Sequence, residues 1–482
     1  MLLSPTPDAT GEAHADGSTA RPWAVFSVLA AMAAMTILDV SKVGVVLPII
    51  QRSLGGNQTS VQLMVVGYTM AYALFLLPSG RLGDIVSRKK VFLFGSVVFV
   101  VASVSCALAP DTSVLIVARM VQGAGAGILM PQVLGLIQHL FAPKDLARPL
   151  ATLAATIALT AMIGPVIAGV VVQLAGPSLG WRLLFWINVA FGLIVLPLAW
   201  RFVREPGSER RVGFDRTGVM LLVPAIVLTV FPVSTVSAST PIAPWMVASV
   251  LAGLVCAGLL VAHQRRLARG VREPLIDPAL FRIQHFPSGV GIAGLMYATG
   301  TGSTLIITLF YEEQAGQSPL RTAAWMLPSA LSMILGSWLA GRTAQRMSRR
   351  LITVGAAANS AGLMTIAVAI GSIPPNAVLA VLACLLLVTS FGSSLVASSN
   401  QVRSLQGVPA HRSSVAGSML QVSQRIGSAF GMAIALVAYY GYLDHAVPVL
   451  GRRTLGPTVA VGICAGFSLL ALVVAALDRD AR

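Results

Sequence analysis

The chain has 482 residues, of which 56% are hydrophobic and only 10% are charged, and its mean hydropathy is +0.82. So few polar residues cannot cover a soluble globule of this size, and the composition predicts a polytopic membrane protein. The net charge of +16 does not indicate nucleic-acid binding, because the basic residues recur in short segments between apolar runs instead of forming one face.

Fourteen apolar spans follow one another along the chain, each long enough to cross a bilayer as a helix. Helices are predicted because lipid cannot satisfy the open edges of strands. The first seven spans cover residues 23–50, 59–79, 91–109, 113–141, 146–176, 181–200 and 217–236. The other seven cover residues 245–264, 286–311, 320–340, 351–371, 377–400, 413–440 and 455–477.

Basic residues concentrate in every second loop. If both termini are cytoplasmic, 25 of the 33 Lys and Arg residues lie on the inner side, 5 lie outside and 3 lie within spans. We therefore expect a multi-pass protein of the cytoplasmic (inner) membrane. Residues 1–22 have no signal-peptide pattern and are expected to form a disordered cytoplasmic tail, with a second short tail over residues 478–482.

Two short segments repeat one pattern 261 positions apart, and each joins two apolar spans. They are Gly80-Arg-Leu-Gly-Asp-Ile-Val-Ser-Arg-Lys89 and Gly341-Arg-Thr-Ala-Gln-Arg-Met-Ser-Arg-Arg350. Parallel repeats with corresponding basic hairpins are typical of transporters built from two similar halves. The duplication predicts six-helix bundles over residues 23–204 and 286–477, joined by a linker over residues 205–285 with two extra spans.

Five motifs, in order along the chain, resemble signatures of the 14-helix drug:proton antiporters of the major facilitator superfamily. They are Leu38-Asp39-Val-Ser-Lys-Val-Gly-Val-Val-Leu-Pro48, Gly80-x-Leu-x-Asp84-x-x-x-Arg88-Lys89, Arg119-x-x-Gln122-Gly123, Gly164-Pro165-x-x-x-Gly169, and Trp181-Arg182 with Phe185 and Asn188. The resemblance covers essentially the whole chain. The sequence departs from the family pattern at Lys42 and Gly44 in the first motif, and at Gln345, where the second hairpin lacks its Asp.

The resemblance implies a proton-coupled exporter of amphiphilic drugs or antibiotics that works by alternating access, with the proton as coupling ion and no other cofactor. Its partners would be a small amphiphilic substrate and membrane lipid, not nucleic acid, and it would function as a monomer. An ATP-driven pump is not predicted, because no phosphate-binding Gly-x-x-x-x-Gly-Lys-Ser/Thr loop occurs. Nor does the sequence indicate an enzyme. The alternatives are an exporter of an endogenous metabolite or lipid and a non-transporting membrane sensor or scaffold.

Asp39 is the only carboxylate deep within a predicted span. An ionised carboxylate at the bilayer centre costs about 2.5–3.5 kcal/mol on insertion scales, so it should face a cavity or a partner. The resemblance implies that protonation of Asp39 from outside releases substrate, and that deprotonation inside restores an anionic site for a cationic or polar drug.

Two cationic residues bear on Asp39. Lys42 lies on the same helical face as Asp39. It either neutralises Asp39 as a structural pair or swings away as Asp39 takes up a proton. Arg119 either tunes Asp39 or anchors helix 4 by interhelical hydrogen bonds, with Gln122 one turn further on.

The other candidate residues fall into three groups. Polar and aromatic residues predicted to line a substrate cavity, with lipid contact or interhelical hydrogen bonding as the alternative, are Tyr68, Tyr72, Gln122, Tyr297, Trp325, Gln421, Gln424 and Arg425. Predicted gating residues of the two hairpins are Gly80, Asp84, Arg88, Lys89, Gly341, Arg346 and Arg349. A predicted antiporter helix kink comprises Gly164, Pro165 and Gly169. The run Gly123-Ala-Gly-Ala-Gly127 predicts close helix packing.

Overall fold

The computed structural model describes residues 20–56, 58–141, 145, 147–204, 213, 215–235, 243–269, 274–276, 278–373, 375–408, 413–442 and 455–478. These residues form helices joined by short turns and contain no strand, which confirms the all-α prediction. Most of both predicted tails and the segment 205–212 of the linker lie outside the described residues.

Twelve helical stretches make up the described part of the chain. The first six are α1 (Ala20–Leu54), α2 (Gln58–Ile85), α3 (Arg88–Ala107), α4 (Thr112–Leu140), α5 (Ala147–Phe202) and α6 (Arg216–Thr235). The other six are α7 (Pro244–Leu267), α8 (Phe286–Leu309), α9 (Pro319–Ser372), α10 (Pro375–Leu405), α11 (Ser413–Gly441) and α12 (Leu455–Leu477).

Two of these stretches each contain two helices joined across a kink. In α5 the break is at Gly176, with φ 77° and ψ 164°, a conformation that is essentially restricted to glycine. In α9 the break is at Met347, within the second hairpin, with φ −130° and ψ 21°. The first break is at the last residue of the predicted span 146–176, and the second lies between the predicted spans 320–340 and 351–371.

Eleven helices of the described residues are long and apolar enough to cross a bilayer. That set counts α5 once, places the apolar part of α6 among shorter helices, and omits α11, whose polar residues lower its hydropathy. The chain is therefore a multi-pass membrane protein, and the count of fourteen spans stays a prediction.

Corresponding helices pair in the two halves. In the first half α1 packs against α5, and in the second half α8 packs against α11. In the first half, α2 and α3 both pack against α4. In the second half, the two parts of α9 correspond to α2 and α3, and α9 packs against α10. This correspondence is the structural counterpart of the repeated hairpin.

Glycines in α4 bring α2 into backbone contact. A Cβ atom on Gly123 would lie 2.2 Å from the carbonyl oxygen of Tyr68, and one on Gly127 would lie 2.3 Å from that of Tyr72. The predicted close packing at this glycine run is confirmed. Its consequence is a fixed position for both tyrosines.

The two halves meet on the hairpin face, which we define as the side of the molecule where α2 ends and α3 begins (residues 85–88). There α2 and α4 pack against α11, and one apolar cluster includes Met130 and Val133 of α4 with Val415 and Met419 of α11. The additional helix α6 contacts both α2 and α11 and covers their seam on one flank. The halves are thus closed against each other on this face.

We expect Gly127→Ala to lower the stability of the protein by about 1–3 kcal/mol, because the added methyl group forces α2 away from α4. The measurement is the apparent melting temperature of the detergent-purified protein. Gly462→Ala in α12 is the matched control, since a Cβ there meets nothing within 4 Å. Equal melting temperatures for the two variants would contradict this account of the packing.

Candidate functional site

Asp39 lies in the middle of α1 with no exposed surface. Arg119 of α4 donates a hydrogen bond to its Oδ2 atom, and Asn188 of α5 donates to its Oδ1 atom at 2.6 Å. The Nζ atom of Lys42 is 3.8 Å from Oδ1. Asp39 therefore has its partner, and that direct partner is Arg119.

A closed ring of hydrogen bonds surrounds this ion pair. Arg119 Nη1 also donates to Gln122 Oε1 at 2.6 Å, and Gln122 Nε2 donates to Ser103 Oγ at 2.8 Å. Asn188 Nδ2 donates to the same Ser103 oxygen at 3.3 Å. Because Asn188 also donates to Asp39, the ring is closed. Side chains from α1, α3, α4 and α5 are tied together, and each is buried. We call these five residues the ion-pair ring.

Lys42 is attached to the ion-pair ring from one side. Its Nζ atom donates to the carbonyl oxygen of Leu184 at 2.6 Å and to Asn188 Oδ1. The lysine is fully buried, and two acceptors hold it in place beside its weaker contact with Asp39. A simple Asp39–Lys42 pair, one of the two alternatives, describes only part of this arrangement.

The predicted antiporter kink meets α1 next to Lys42. A Cβ atom on Gly164 would lie 1.9 Å from Ser41 Oγ and 3.2 Å from the backbone nitrogen of Lys42, so only glycine allows this approach. The chain remains helical through Pro165, and the interruption of α5 lies further on, at Gly176.

An apolar cavity of about 290 Å³ begins one helical turn beyond Lys42, on the side away from the hairpin face. Val45, Val46 and Ile49 of α1 and Gly169 of α5 contribute to its walls. It stops short of the ion-pair ring, whose residues are at most 2% exposed. Asp39 is thus sealed from solvent in this conformation.

Two cations and one carboxylate meet in this cluster, so its formal charge is +1. The family resemblance implies an anionic site that attracts a cationic or polar drug once Asp39 is deprotonated. In this conformation the charge of the Asp39 carboxylate is matched by Arg119 and Lys42. Arg119 and Asn188 come from distant helices, which no local spacing reveals.

A second polar cluster lies beside the first at the seam between the halves. The guanidinium carbon of Arg119 is 4.3 Å from the ring centroid of Tyr68, and the Tyr68 and Tyr72 rings are 6.4 Å apart. The guanidinium carbon of Arg425 in α11 is 4.3 Å from the Tyr72 ring. Tyr72 also donates a hydrogen bond to Gln421 Oε1 at 3.3 Å. Two tyrosines therefore connect the ion-pair ring with α11.

The remaining predicted cavity residues divide between this cluster and other places. Tyr297 of α8 is within electrostatic range of Arg425. Gln424 is half-buried on α11. Trp325 of α9 packs instead against an apolar cluster of the second half that contains Tyr311 and Tyr439.

The first hairpin is held by an ion pair and by the linker. Arg88 Nη2 lies 2.7 Å from Asp84 Oδ1. Arg81 donates to the carbonyl oxygen of Pro274, between α7 and α8, at 2.6 Å. A Cβ on Gly80 would be 3.5 Å from Ser418 Oγ of α11, and Lys89 is half-buried. The hairpin thus touches both the linker and the second half.

The second hairpin is held at the end of α12. Asp478, directly after α12, pairs with Arg403 at 3.0 Å and with His285 at 2.9 Å. Arg349 of the hairpin donates to the carbonyl oxygen of Ala476 at 3.1 Å, whereas Gly341 and Arg346 are exposed. Burial would raise the pKa of Asp478, but the hydrogen bonds from His285 and Arg403 hold that pKa below its usual range. The hairpin meets this cluster through Ser348, which accepts a hydrogen bond from Arg403 at 3.5 Å, and through Arg349.

Sequence reasoning did not include Ser103, Leu184 or Asp478 in the site. Asn188 was noted only as part of a motif. A polar side chain within an apolar span is the signal that could have added Ser103 and Asn188, since such groups need partners. No sequence signal points to the Leu184 carbonyl.

We expect Asp39→Asn to destabilise the protein by about 3–5 kcal/mol, because two buried cations lose the only carboxylate that pairs with them in the described part of the chain. Lys42→Met should cost less, about 1–3 kcal/mol, because it leaves a neutral Asp39–Arg119 pair and only two acceptors without a donor. Apparent melting temperatures in detergent measure both effects. A larger loss for Lys42→Met would rule out this charge balance.

For Asp478→Asn we expect a loss of about 1 kcal/mol at neutral pH, because Arg403 loses a charge-assisted partner. The depressed pKa of Asp478 means that its contribution exists above the ordinary carboxyl pKa and disappears as the pH falls below about 4. Melting temperatures of the wild type and the variant should therefore converge at acid pH. A gap that is constant with pH would contradict an ionic role.

Comparison with known proteins places this geometry in a family. The model of the Major Facilitator Superfamily matches residues 29–432. A protein of Streptomyces coelicolor named "Probable actinorhodin transporter" is 30% identical over 92% of this chain and 77% of its own length. The lincomycin resistance protein of Streptomyces lincolnensis is 29% identical over 95% of this chain and 92% of its own length.

Solved structures agree at the level of the fold. The crystal structure of an auto-inhibited peptide transporter of the POT family superposes with a TM-score of 0.67 at 14% identity, covering 96% of this chain and 98% of that one. The residues matched by the family model, 29–432, contain both hairpins, the ion-pair ring and the seam. The chain belongs to the Major Facilitator Superfamily and is a multi-pass membrane transporter.

Proposed function

We propose that this protein exports small amphiphilic antibiotics across the cytoplasmic membrane in exchange for protons, by alternating access. The observation that carries the proposal is the ion-pair ring with the attached Lys42, where one buried carboxylate lies between two buried cations. Relatives named for antibiotic transport and antibiotic resistance support this class of substrate.

The ion-pair ring couples a proton to helix movement through charge. Protonation of Asp39 would remove the only negative charge and leave Lys42 and Arg119 facing each other without a counter-ion. Arg119 cannot release a proton to relieve this repulsion, because a guanidinium remains charged in proteins. Proton uptake is therefore favourable when Lys42 gives up its own proton, or when the ring opens and Lys42 or Arg119 moves toward water.

The energies involved are of comparable size. Disrupting a buried ion pair costs about 3–5 kcal/mol. One proton moving down a potential of about 100 mV supplies about 2.3 kcal/mol, and a tenfold proton gradient adds about 1.4 kcal/mol. A single proton can therefore drive the ring between its closed and open arrangements.

The topology that we propose has both termini in the cytoplasm, which makes the hairpin face the inner face. The apolar packing of α2 and α4 against α11 then corresponds to a state closed toward the cytoplasm. The cavity next to Lys42 then lies on the outer side of the ring, and a proton would enter through it once the ring opens. Both sides of the seam come from one chain, so a monomer suffices.

The test uses everted membrane vesicles energised by respiration, with a pH-sensitive dye and a panel of antibiotics and fluorescent amphiphiles. A substrate should release protons from the vesicle lumen, and Asp39→Asn should abolish that release. Asp111→Asn is the matched control, because Asp111 caps α4 with hydrogen bonds of 2.8 and 3.0 Å that an amide oxygen can accept.

Normal proton-driven efflux in Asp39→Asn would defeat the proposed coupling. A complete lack of substrate-driven proton release by the wild-type protein across the panel would favour a sensor or scaffold instead.

A further inference from the structure

Arg425 is a cation without a counter-ion. It lies in α11 at the seam between the halves, and the ionisable groups around it are the tyrosines Tyr68, Tyr72 and Tyr297. No carboxylate of the described residues lies within ion-pair distance of it. Its guanidinium rests on the Tyr72 ring, and its Nε atom is fully buried with no hydrogen-bond partner.

Hydrogen-bond donors remain unused at this place. The Nε–H group of Arg425 is one, and the hydroxyl group of Tyr68, also fully buried without a partner, is another. Orphaned polar groups are rare in protein interiors and costly, because each loses its water without gaining a replacement. Here the missing chemical component is an acceptor.

The net charge around the seam is positive. Lys42, Arg119 and Arg425 are cationic and Asp39 is the only carboxylate beside them among the described residues, so two positive charges are in excess in the membrane-spanning part. Lys42 and Arg119 are buried and Arg425 is partly exposed, and charge of this kind within membrane-spanning helices marks a substrate or ion pathway. A ligand that supplies negative charge and acceptor oxygens matches both the excess charge and the unused donors.

Resting on the proposed function, we propose that the exported amphiphiles are acids, and that Arg425 with Tyr68 and Tyr72 binds their oxyanion, a carboxylate or an acidic phenolate. A guanidinium matches such an oxyanion through parallel hydrogen bonds. Tyr68 offers its hydroxyl as a further donor, and the tyrosine rings provide apolar surface for the body of the ligand.

The site joins substrate binding to movement of the halves. Tyr72 belongs to the first half, and its hydrogen bond to Gln421 crosses to the second. Arg425 is held on the same tyrosine, so separation of α2 from α11 uncovers its guanidinium to a ligand. The ion-pair ring is adjacent, since Arg119 rests on Tyr68 as Arg425 rests on Tyr72.

The experiment measures binding to the detergent-purified full chain with no proton gradient. Three fluorescent probes share one apolar body and differ in charge: 1-pyrenebutyrate, 1-pyrenebutanol and 1-pyrenemethylamine. Fluorescence anisotropy should show that 1-pyrenebutyrate binds about 10-fold to 100-fold more tightly than the other two, the range for a charge-assisted hydrogen bond.

Arg425→Gln should remove this preference, and Arg425→Lys should retain part of it, because the charge persists while the fork of donors is lost. Arg182→Gln is the matched control. Arg182 also rests on an aromatic ring, with 4.3 Å between its guanidinium carbon and the Trp181 centroid, but lies outside the seam. It should leave the preference unchanged.

The proposal is overturned if the wild-type protein prefers the amine or the alcohol, if it binds none of the three probes, or if Arg425→Gln keeps the preference for the acid. Should Arg425→Gln fail to fold, the wild-type series and Arg425→Lys decide. If the vesicle assay shows no proton exchange, the proposed function is refuted. The Arg425-dependent preference is measured without a gradient, so it would still establish the anion site.

Discussion

The contact between Asp39 and Arg119 is the interaction on which the rest of the first half depends. It joins α1 to α4 in the membrane interior, where no water can replace either partner. The hydrogen bonds through Gln122, Ser103 and Asn188 extend it to α3 and α5. Four helices therefore share one electrostatic arrangement, and a change of charge at a single atom is felt by all of them.

Backbone packing makes that arrangement possible. Gly123 and Gly127 let α2 lie directly on α4, and Gly164 lets α5 lie directly on α1. Close approach at these places fixes the backbone positions of Tyr68, Tyr72 and Lys42 relative to the neighbouring helix. Small residues and charged residues thus act together, since the first determine how far apart the second can be.

Much of the fold could be predicted from the sequence, because apolar span length and the repeated hairpin report directly on helices and on duplication. The importance of Asp39 and Arg119 could also be predicted, since a charge within a span needs a partner. The partner of Asp39 could not be predicted. Lys42 is the neighbour in sequence, yet Arg119, 80 positions away, makes the direct contact.

The same limit applies to the second hairpin and to the seam. Gln345 occupies the position of a missing acid, and the contact that Arg349 makes instead depends on where α12 ends in space. The proximity of Tyr72 to Gln421 and Arg425 depends on how two halves dock. Long-range pairings of this kind leave no periodic trace along the chain.

The helix α6 has a mechanical consequence for the whole molecule. It contacts α2 of one half and α11 of the other, so it must slide along at least one of them whenever the halves rock apart. Pro224 and Pro232 have no backbone N–H group, so α6 lacks two of its helical hydrogen bonds and bends more easily than a regular helix. The halves also meet where α5 packs against α9, so a linker helix bridges one of the two inter-half contacts and not the other, and the two contacts need not open with equal ease.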